Sequence, residues 1–560
     1  MSKFVIYQVL PRLFGNTNTT NKHKGSIEEN GCGKFNHFTV KALSEIKSLG
    51  VTHIWYTGVI EHATQTDYSA FGIPNDHPAI VKGIAGSPYA IKDYYDVDPD
   101  LAENVNNRMI EFEEMLSRTH KAKMKVIIDF VPNHVSRQYH STAKPKGVVD
   151  LGEKDHDNWA FSPLNNFYYL PNQVFAPRFN VLGYKEFPAK VTGNDYFSAQ
   201  PTQNDWYETI KLNYGVNYVE GHQKQFDPIP DTWFKMRDIL LFWASKKIDG
   251  FRCDMAEMVP VEFWGWAVSQ VKAQYPDVIF IAEVYNPGEY RNYICNGKFD
   301  YLYDKEGMYE MLRNVTSRNF PVREITNAWQ SLGGIENQML NFLENHDEQR
   351  IGSGFYSGNG MYAQPAMIVA ATLTQAPVMI YSGQEFGEQG MDNEGFSGLD
   401  GRTSIFDYWG VKSIQAWENN GKFDGGNLSL EQKELRLFYQ KLLNITLSEK
   451  AITNGLMYDL EFANFENPKF NSHEQYAYFR KYNQELLLFV LNFDDKFLET
   501  EVMFPLEAFQ YLELEEGQNY TITNLLDETE KFPLLTLSSQ KTFVSYMPPW
   551  KGMILKLKKV

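Results

Sequence analysis

Short apolar runs alternate with helical periods along roughly the first 450 residues. FVIYQVL (4–10) is followed, after a polar loop, by TVKALSEIKSLG (39–50). There Val40, Leu43 and Ile46 fall three apart, Thr39 is placed to cap a helix and Gly50 to end it. THIWY (52–56), KVIIDFV (125–131), DGFRCD (249–254), DVIFIAEVY (277–285), KFDYLYD (298–304), QMLNFLENHD (338–347) and APVMIYSG (376–383) supply seven further strands. One intervening helix puts Met109, Phe112 and Leu116 on one side, and others are predicted at 231–246, 260–274, 306–317, 361–374 and 429–446. Eight strand-then-helix units with continuous apolar strands predict a parallel sheet buried on both faces. The expected fold is therefore an α/β protein closed as a (β/α)8 TIM barrel. A doubly wound open sheet fits less well, because no glycine-rich phosphate turn follows the first strand.

Two departures from a minimal barrel are visible. Residues 135–230, rich in Tyr, Phe, Asn and Pro, separate the third strand from its helix. A βα loop usually has about 2–6 residues, so this stretch reads as an inserted subdomain. After residue 450 only strands remain: YAYFRKY (476–482) and LLLFVLNF (486–493) make a hairpin, and EVMFPL, NYTITNL, KTFVSYM and KGMILKL follow. That spacing predicts a C-terminal antiparallel β-sandwich. The expected division is barrel at 1–134 and 231–450, insertion at 135–230 and sandwich at 451–560.

Composition narrows the ligand. Aromatic residues reach 15%, and their faces stack on sugar rings and on nucleobases alike. The balance of 53 basic against 70 acidic residues, a net −17, repels phosphate backbones, so no nucleic-acid partner is expected. A neutral, polar ligand fits better. Three cysteines (Cys32, Cys253, Cys295) form no CxxC pair and suit a reducing compartment. No uncharged apolar stretch is long enough to span a bilayer, so no membrane partner is expected. The expected location is cytoplasmic, or exported after loss of a leader.

Function in such barrels sits at the carboxyl ends of strands. Those ends carry Glu61 and His62, Asp129, Asn133 and His134, Arg252 and Asp254, Glu283, Asn345, His346 and Asp347, and Gln384 and Glu385. Singly, each has a bland reading: Arg252–Asp254 as a strand-end ion pair, Glu283 as a solvated loop acid, His134 and Tyr89 as packing. Trp233, Trp243, Trp264 and Trp266 lie on predicted helices and read as packing residues. Jointly, carboxylates and stacking aromatics on one rim point to glycoside hydrolysis. That reaction uses one carboxylic acid to protonate the leaving oxygen and one carboxylate to attack the anomeric carbon or activate water.

DFVPNH, GFRCD, FIAEV and FLENHD stand in the order, and at about the spacing, of the motifs of the alpha-amylase family (glycoside hydrolase family 13), and IPDTW (229–233) resembles its short fifth motif. The resemblance covers essentially the whole chain. It implies Asp254 as nucleophile, Glu283 as general acid/base and Asp347 as third carboxylate. It further implies that His134 and His346 bind sugar hydroxyls, that Tyr89 in GSPYAIKDYY is the platform beneath the sugar, and that Asp93 shapes the same pocket. Arg252, two residues before Asp254 on one strand, points to the same side and is expected to lower its pKa. Glu283, between apolar neighbours, is expected to have its pKa raised by desolvation.

Where many amylases carry Lys-His after the nucleophile, this chain has Glu257 and Met258. Asn133 and Asp231 match positions that can ligate calcium in the family and equally serve as structural hydrogen-bonders; both readings stand. Asn16, Asn18 and Asn21 read as a polar loop. Acceptor subsites are expected from the insertion and from 384–410, with Glu385, Arg402 and Asp407. The implied activity is retaining hydrolysis of alpha-1,4-glucosidic bonds in starch-derived glucans or maltodextrins, with no organic cofactor. Alternatives are a cyclodextrin- or pullulan-degrading enzyme, a 4-alpha-glucanotransferase, a catalytically inactive glucan-binding member or, outside the family, a nucleotide-binding barrel.

Overall fold

The computed structural model describes residues 3–560. Eight parallel strands close into a barrel: β1 Val5–Val9, β2 His53–Tyr56, β3 Lys125–Phe130, β4 Gly250–Cys253, β5 Ile279–Ala282, β6 Tyr301–Tyr303, β7 Met339–Phe342 and β8 Val378–Tyr381. Their order round the barrel is their order in the chain, and β8 closes on β1 through Val5↔Val378. Alternation explains the continuous apolar runs. Ile6, Trp55, Ile127, Ile281, Tyr303, Leu340 and Met379 form one cluster inside the barrel, while their neighbours Val5, Tyr7, Ile54, Val126, Ile128 and Val378 pack outward under the helices.

The helices carry the signals that specify them. Thr39 accepts a hydrogen bond from the Ala42 amide at the start of Val40–Ser48. Gly50, with φ +95°, turns the chain left-handed past its end, and a Cβ there would meet the Leu443 backbone at 2.9 Å. Ser429 and Gln432 form a capping box on Leu430–Ser448. The helix expected at 361–374 is regular only over Gln364–Thr372, after a tight turn at Gly360–Ala363.

Strands end earlier than the apolar runs because the last residues of each run leave the ladder for the rim. An unpredicted strand, Ile91–Val97, pairs antiparallel with Ile60–His62. Lys92, Asp93 and Asp96 made it read as polar, yet all seven residues are buried. This pairing takes Glu61 and His62 away from the cleft. His62 Nε2 lies 3.4 Å from Asp98 and also contacts Arg12. Burial, then the charges of Asp93 and Asp96, pushes the Glu61 carboxyl up to about 9. Both belong to a buried polar network and not to the site.

Between β3 and the helix Asp231–Ser245 the chain forms short two-stranded ribbons, including His134–Ser136 with Thr209–Lys211 and Tyr169–Leu170 with Ala189–Lys190. They carry a small core of Tyr168, Phe175, Ala189 and Val191. The C-terminal strands are β9 Leu456–Asp459, β10 Gln475–Tyr482, β11 Glu485–Asn492, β12 Leu498–Met503, β13 Gln518–Asn524, β14 Leu535–Leu537, β15 Thr542–Met547 and β16 Lys551–Lys559. They form a six-stranded antiparallel sheet, β9-β10-β11-β16-β13-β14, with β12 and β15 as a second layer over a core that includes Phe479, Leu488, Val502, Phe543 and Leu555. Buried Arg480 on β10 ties the six-stranded sheet to the barrel, donating to the carbonyls of Leu373 at 2.7 Å and Ile452 at 2.7 Å.

Candidate active site

The site is built on β4 and its neighbours. Arg252 points into the barrel, its guanidinium within 5.5 Å of the ring centres of Trp55, Tyr89 and Tyr303. One terminal nitrogen donates to Asp254 Oδ1 at 2.7 Å, the other lies 2.7 Å from Glu283 Oε2, and Asp129 Oδ1 lies 3.5 Å away. Thus the two carboxyls face the two terminal nitrogens of one guanidinium, Asp254 through a hydrogen bond and Glu283 through charge proximity.

Backbone register places them. The Asp254 amide donates to the Phe130 carbonyl at 2.9 Å and the Glu283 amide to the Cys253 carbonyl at 3.1 Å, each extending the ladder by one residue. Immediately afterwards Met255 adopts a left-handed conformation, φ 41°, and its amide donates to Glu283 Oε2 at 2.8 Å. A non-glycine residue held there costs of order 1–3 kcal/mol. The strain is offset by the hydrogen bond it delivers.

Glu283 sits among polar partners. Its oxygens face the guanidinium, the Met255 amide and the Tyr285 hydroxyl, which also donates to it. The apolar residues flanking it in sequence turn away, because alternate residues of a strand point to opposite faces. Glu257 supports this loop: its Oε2 accepts from the Tyr285 and Asn286 amides, each at 3.0 Å. A lysine at 257 could not accept those bonds.

Asp347 lies at the end of β7, where Asn345 Oδ1 accepts the Asp347 amide at 2.8 Å. His346 Nε2 is 3.0 Å from Asp347 Oδ2 and also meets the Tyr89 hydroxyl. Gln8 Nε2 contacts His346 Nδ1 at 2.7 Å from beneath. Asp129 accepts from Trp55 Nε1 at 3.1 Å and from the Gly58 amide at 3.1 Å, fixing the floor.

These groups surround a cleft of about 220 Å³, lined among others by Tyr89, His134, Trp206, Asp254, Met255, Glu283, Tyr285, Asp347 and Phe406. The electrostatics separate its acids. Burial, reinforced by Glu283's charge, pushes the Asp254 carboxyl well above its ordinary value; Arg252 pulls it down, as expected, but is outweighed. For Asp347 burial acts upward, yet His346, Arg252 and Arg402 win and hold it down at about 2. Burial, then the charges of Lys211 and Lys82, takes His134 down to about 3, leaving a neutral imidazole.

The structure brings Asp254, Glu283, Asp347, Tyr89 and His134 to one cleft. Arg252 and His346 stand behind its wall as supports. Asp93 is not at the cleft: it accepts from Ser141 Oγ and from the Tyr95, Thr142 and Ala143 amides, pinning the start of the insertion. Asn133 and Asp231 do not converge as one ligand set. Asn133 Oδ1 accepts from Lys211, whereas Asp231 pairs with Lys235 at 2.8 Å and Asn166 at 3.0 Å.

Of the expected acceptor residues, Glu385 is fully buried and accepts from the Tyr7 hydroxyl, and Asp407 is buried under Ser404 and the Phe396 amide. Arg402 donates to the Asp347 carbonyl at 2.6 Å. Ile405 and Phe406 line the cleft in their place. Sequence reasoning missed Trp206, Tyr285 and Gln8. Trp206 offered one signal, an indole inside a long polar insertion.

A sequence profile, that of the alpha-amylase catalytic domain, matches residues 8–424. The chain is similar to alpha-amylase 3 of Dictyoglomus thermophilum, 26% identical over 390 residues, covering 66% of this chain and 68% of that protein. It is also similar to neopullulanase 2 of Thermoactinomyces vulgaris, 23% identical over 405 residues, covering 69% and 57%. An alpha-amylase from Geobacillus thermoleovorans, solved in complex with acarbose, shares the fold with a TM-score of 0.64 at 18% identity, over 99% of this chain and 98% of that one. With the profile matching well over half of the chain, including every carboxylate of the cleft, this chain belongs to the alpha-amylase family, the glycoside hydrolases that act on alpha-glucans.

Proposed function

We propose that the protein hydrolyses alpha-1,4-glucosidic bonds in starch-derived glucans or maltodextrins with retention of configuration. The observation that carries this reading is the seating of Asp254 and Glu283 on opposite ends of the Arg252 guanidinium, at the base of an aromatic-lined cleft. A retaining displacement asks for about 5–5.5 Å between its carboxyls, a separation two groups facing one guanidinium can take. Asp254 attacks the anomeric carbon while Glu283 gives its proton to the departing oxygen. Glu283 then takes a proton from water, whose oxygen displaces Asp254. Asp347, ionised throughout, accepts hydrogen bonds from sugar hydroxyls that tighten as the ring flattens. Tyr89 and Trp206 supply stacking faces.

Named relatives support an oligosaccharide partner: one neighbour was solved with acarbose and another with maltose. Among the described residues no helix is long and apolar enough to cross a membrane. Three free thiols support a reducing, cytoplasmic location. Starch, maltotriose, pullulan and cyclodextrin digested in parallel, with products sized and followed early by proton NMR, test the assignment. The alpha anomer should form first on starch and maltotriose without chain lengthening. A first-formed beta anomer overturns retention, and longer products overturn hydrolysis in favour of glucanotransfer.

A pH dependence follows. Attack needs the Asp254 carboxylate, and burial places its proton loss above the ordinary 3.8. The rate should therefore rise with pH through that elevated value. Asp347, at about 2, and neutral His134, at about 3, are already in their working forms there. Arg252→Gln removes the group that opposes the rise, so the acid limb of kcat/KM should move to still higher pH. An unmoved limb contradicts the role given to Arg252.

A further inference from the structure

Where the family resemblance puts a calcium ligand, the structure puts an ammonium. Lys211 Nζ lies 2.6 Å from Asn133 Oδ1 and 2.5 Å from Asp195 Oδ1, with the Tyr218 ring centre at 5.4 Å. The Lys211 side chain is 2% exposed. Asn133 uses its other end to donate to the Gly193 carbonyl at 2.8 Å, so the amide is fixed with its oxygen toward Lys211. Calcium takes about 6–8 oxygen ligands at about 2.3–2.6 Å. Here an ammonium occupies the point on which the available oxygens converge, and its charge repels a second cation. Asp231, the other candidate ligand, is engaged elsewhere with Lys235 and Asn166. Among the described residues no group of three or more His, Cys, Asp or Glu side chains is arranged to hold a metal ion. The residues present do not fit a calcium ion.

We propose that Lys211 is a tethered cation that does the structural work of a dissociable metal, locking the inserted segment to the end of β3. The three anchoring points come from separate stretches: Asn133 just past β3, Asp195 within the insertion, and the strand Thr209–Lys211, whose Lys211 pairs directly with His134. The same lock carries the cleft wall, since His134 packs on Trp206 with ring centres 5.1 Å apart. A cation supplied by the chain has no dissociation constant, so chelators cannot remove it. A divalent ion would lose its grip as free metal falls.

The full-length protein, dialysed against EDTA and then metal-free buffer, is assayed for calcium by elemental mass spectrometry and for thermal unfolding with EDTA or with calcium. The result expected is substoichiometric calcium and one Tm in both conditions. Lys211→Met should lower Tm by about 2–4 °C, because the pair has one buried partner and one, Asp195, that is a third exposed, with no recovery on adding calcium. Lys211→Arg, which keeps the charge, should recover most of that loss. Stoichiometric calcium whose removal lowers the wild-type Tm overturns the proposal, as does a Lys211→Met protein with wild-type Tm. Should Lys211→Met fail to fold, the wild-type metal content and the Lys211→Arg variant still decide. None of these readouts depends on the substrate assignment.

Discussion

Replacing Asp254 with asparagine should reduce hydrolysis of starch or maltotriose by roughly four orders of magnitude or more, with thermal stability at neutral pH held or raised. The amide keeps the volume of the carboxyl, and its oxygen can still accept from the Arg252 nitrogen now 2.7 Å from Asp254. What it lacks is the negative charge and nucleophilicity of a carboxylate, so no glycosyl ester forms. The stability half follows by linkage. A buried carboxyl whose proton is bound more tightly in the folded state costs stability once it ionises. That cost is present above the raised folded value, shrinks as pH falls, and disappears below the unfolded value of about 3.9. Asparagine removes it, while Glu283 and Asp129 remain to face the guanidinium. Calorimetry across pH should show the variant's advantage at pH 7 fading toward pH 3 (about the limit below which both forms are neutral). Near-normal turnover, or loss of folding at neutral pH, contradicts the placement of this residue.

The barrel was legible because its strands are buried on both faces, so eight apolar runs stood out without any partner being known. Likewise Thr39 and Gly50 declared helix ends through local chemistry. What stayed hidden depends on residues far apart in the chain. Ile91–Val97 looked polar because its charges are satisfied by distant groups, as Lys92 is by Asp76. Nothing around TIKL signals that Lys211 meets Asn133, 78 residues away. Spacing placed Arg252 beside Asp254 correctly, two residues along one strand. It could not show that the guanidinium also holds Glu283, nor that burial outweighs it at Asp254. His346 was read as a sugar contact. In the structure its ring meets Tyr89, Asp347 and Gln8, partners from distant segments that a reading along the chain could not supply.

Glu283→Gln separates the two carboxyls by role. The amide oxygen can still receive the Met255 amide beside the guanidinium, and the amide nitrogen can donate to the Tyr285 hydroxyl, so the loop after β5 keeps its anchors. Proton delivery is lost. For a glucan, whose departing sugar oxygen needs that proton, the rate should fall by about 10²–10⁴-fold, the usual worth of a positioned general acid. A maltosyl fluoride leaves as fluoride without protonation, so its first step should be nearly spared. The second step then lacks its base, and a maltosyl ester on Asp254 should accumulate and be seen as added mass in the intact protein. Azide requires no deprotonation. It should discharge that ester from the face opposite Asp254, restoring turnover and yielding the alpha-glycosyl azide. Asp254→Asn treated in the same way should give no ester, and azide can only replace the missing nucleophile, producing the beta azide from the alpha fluoride. If azide instead rescues Asp254→Asn with an alpha product and leaves Glu283→Gln unaffected, the nucleophile and the acid are the other way round.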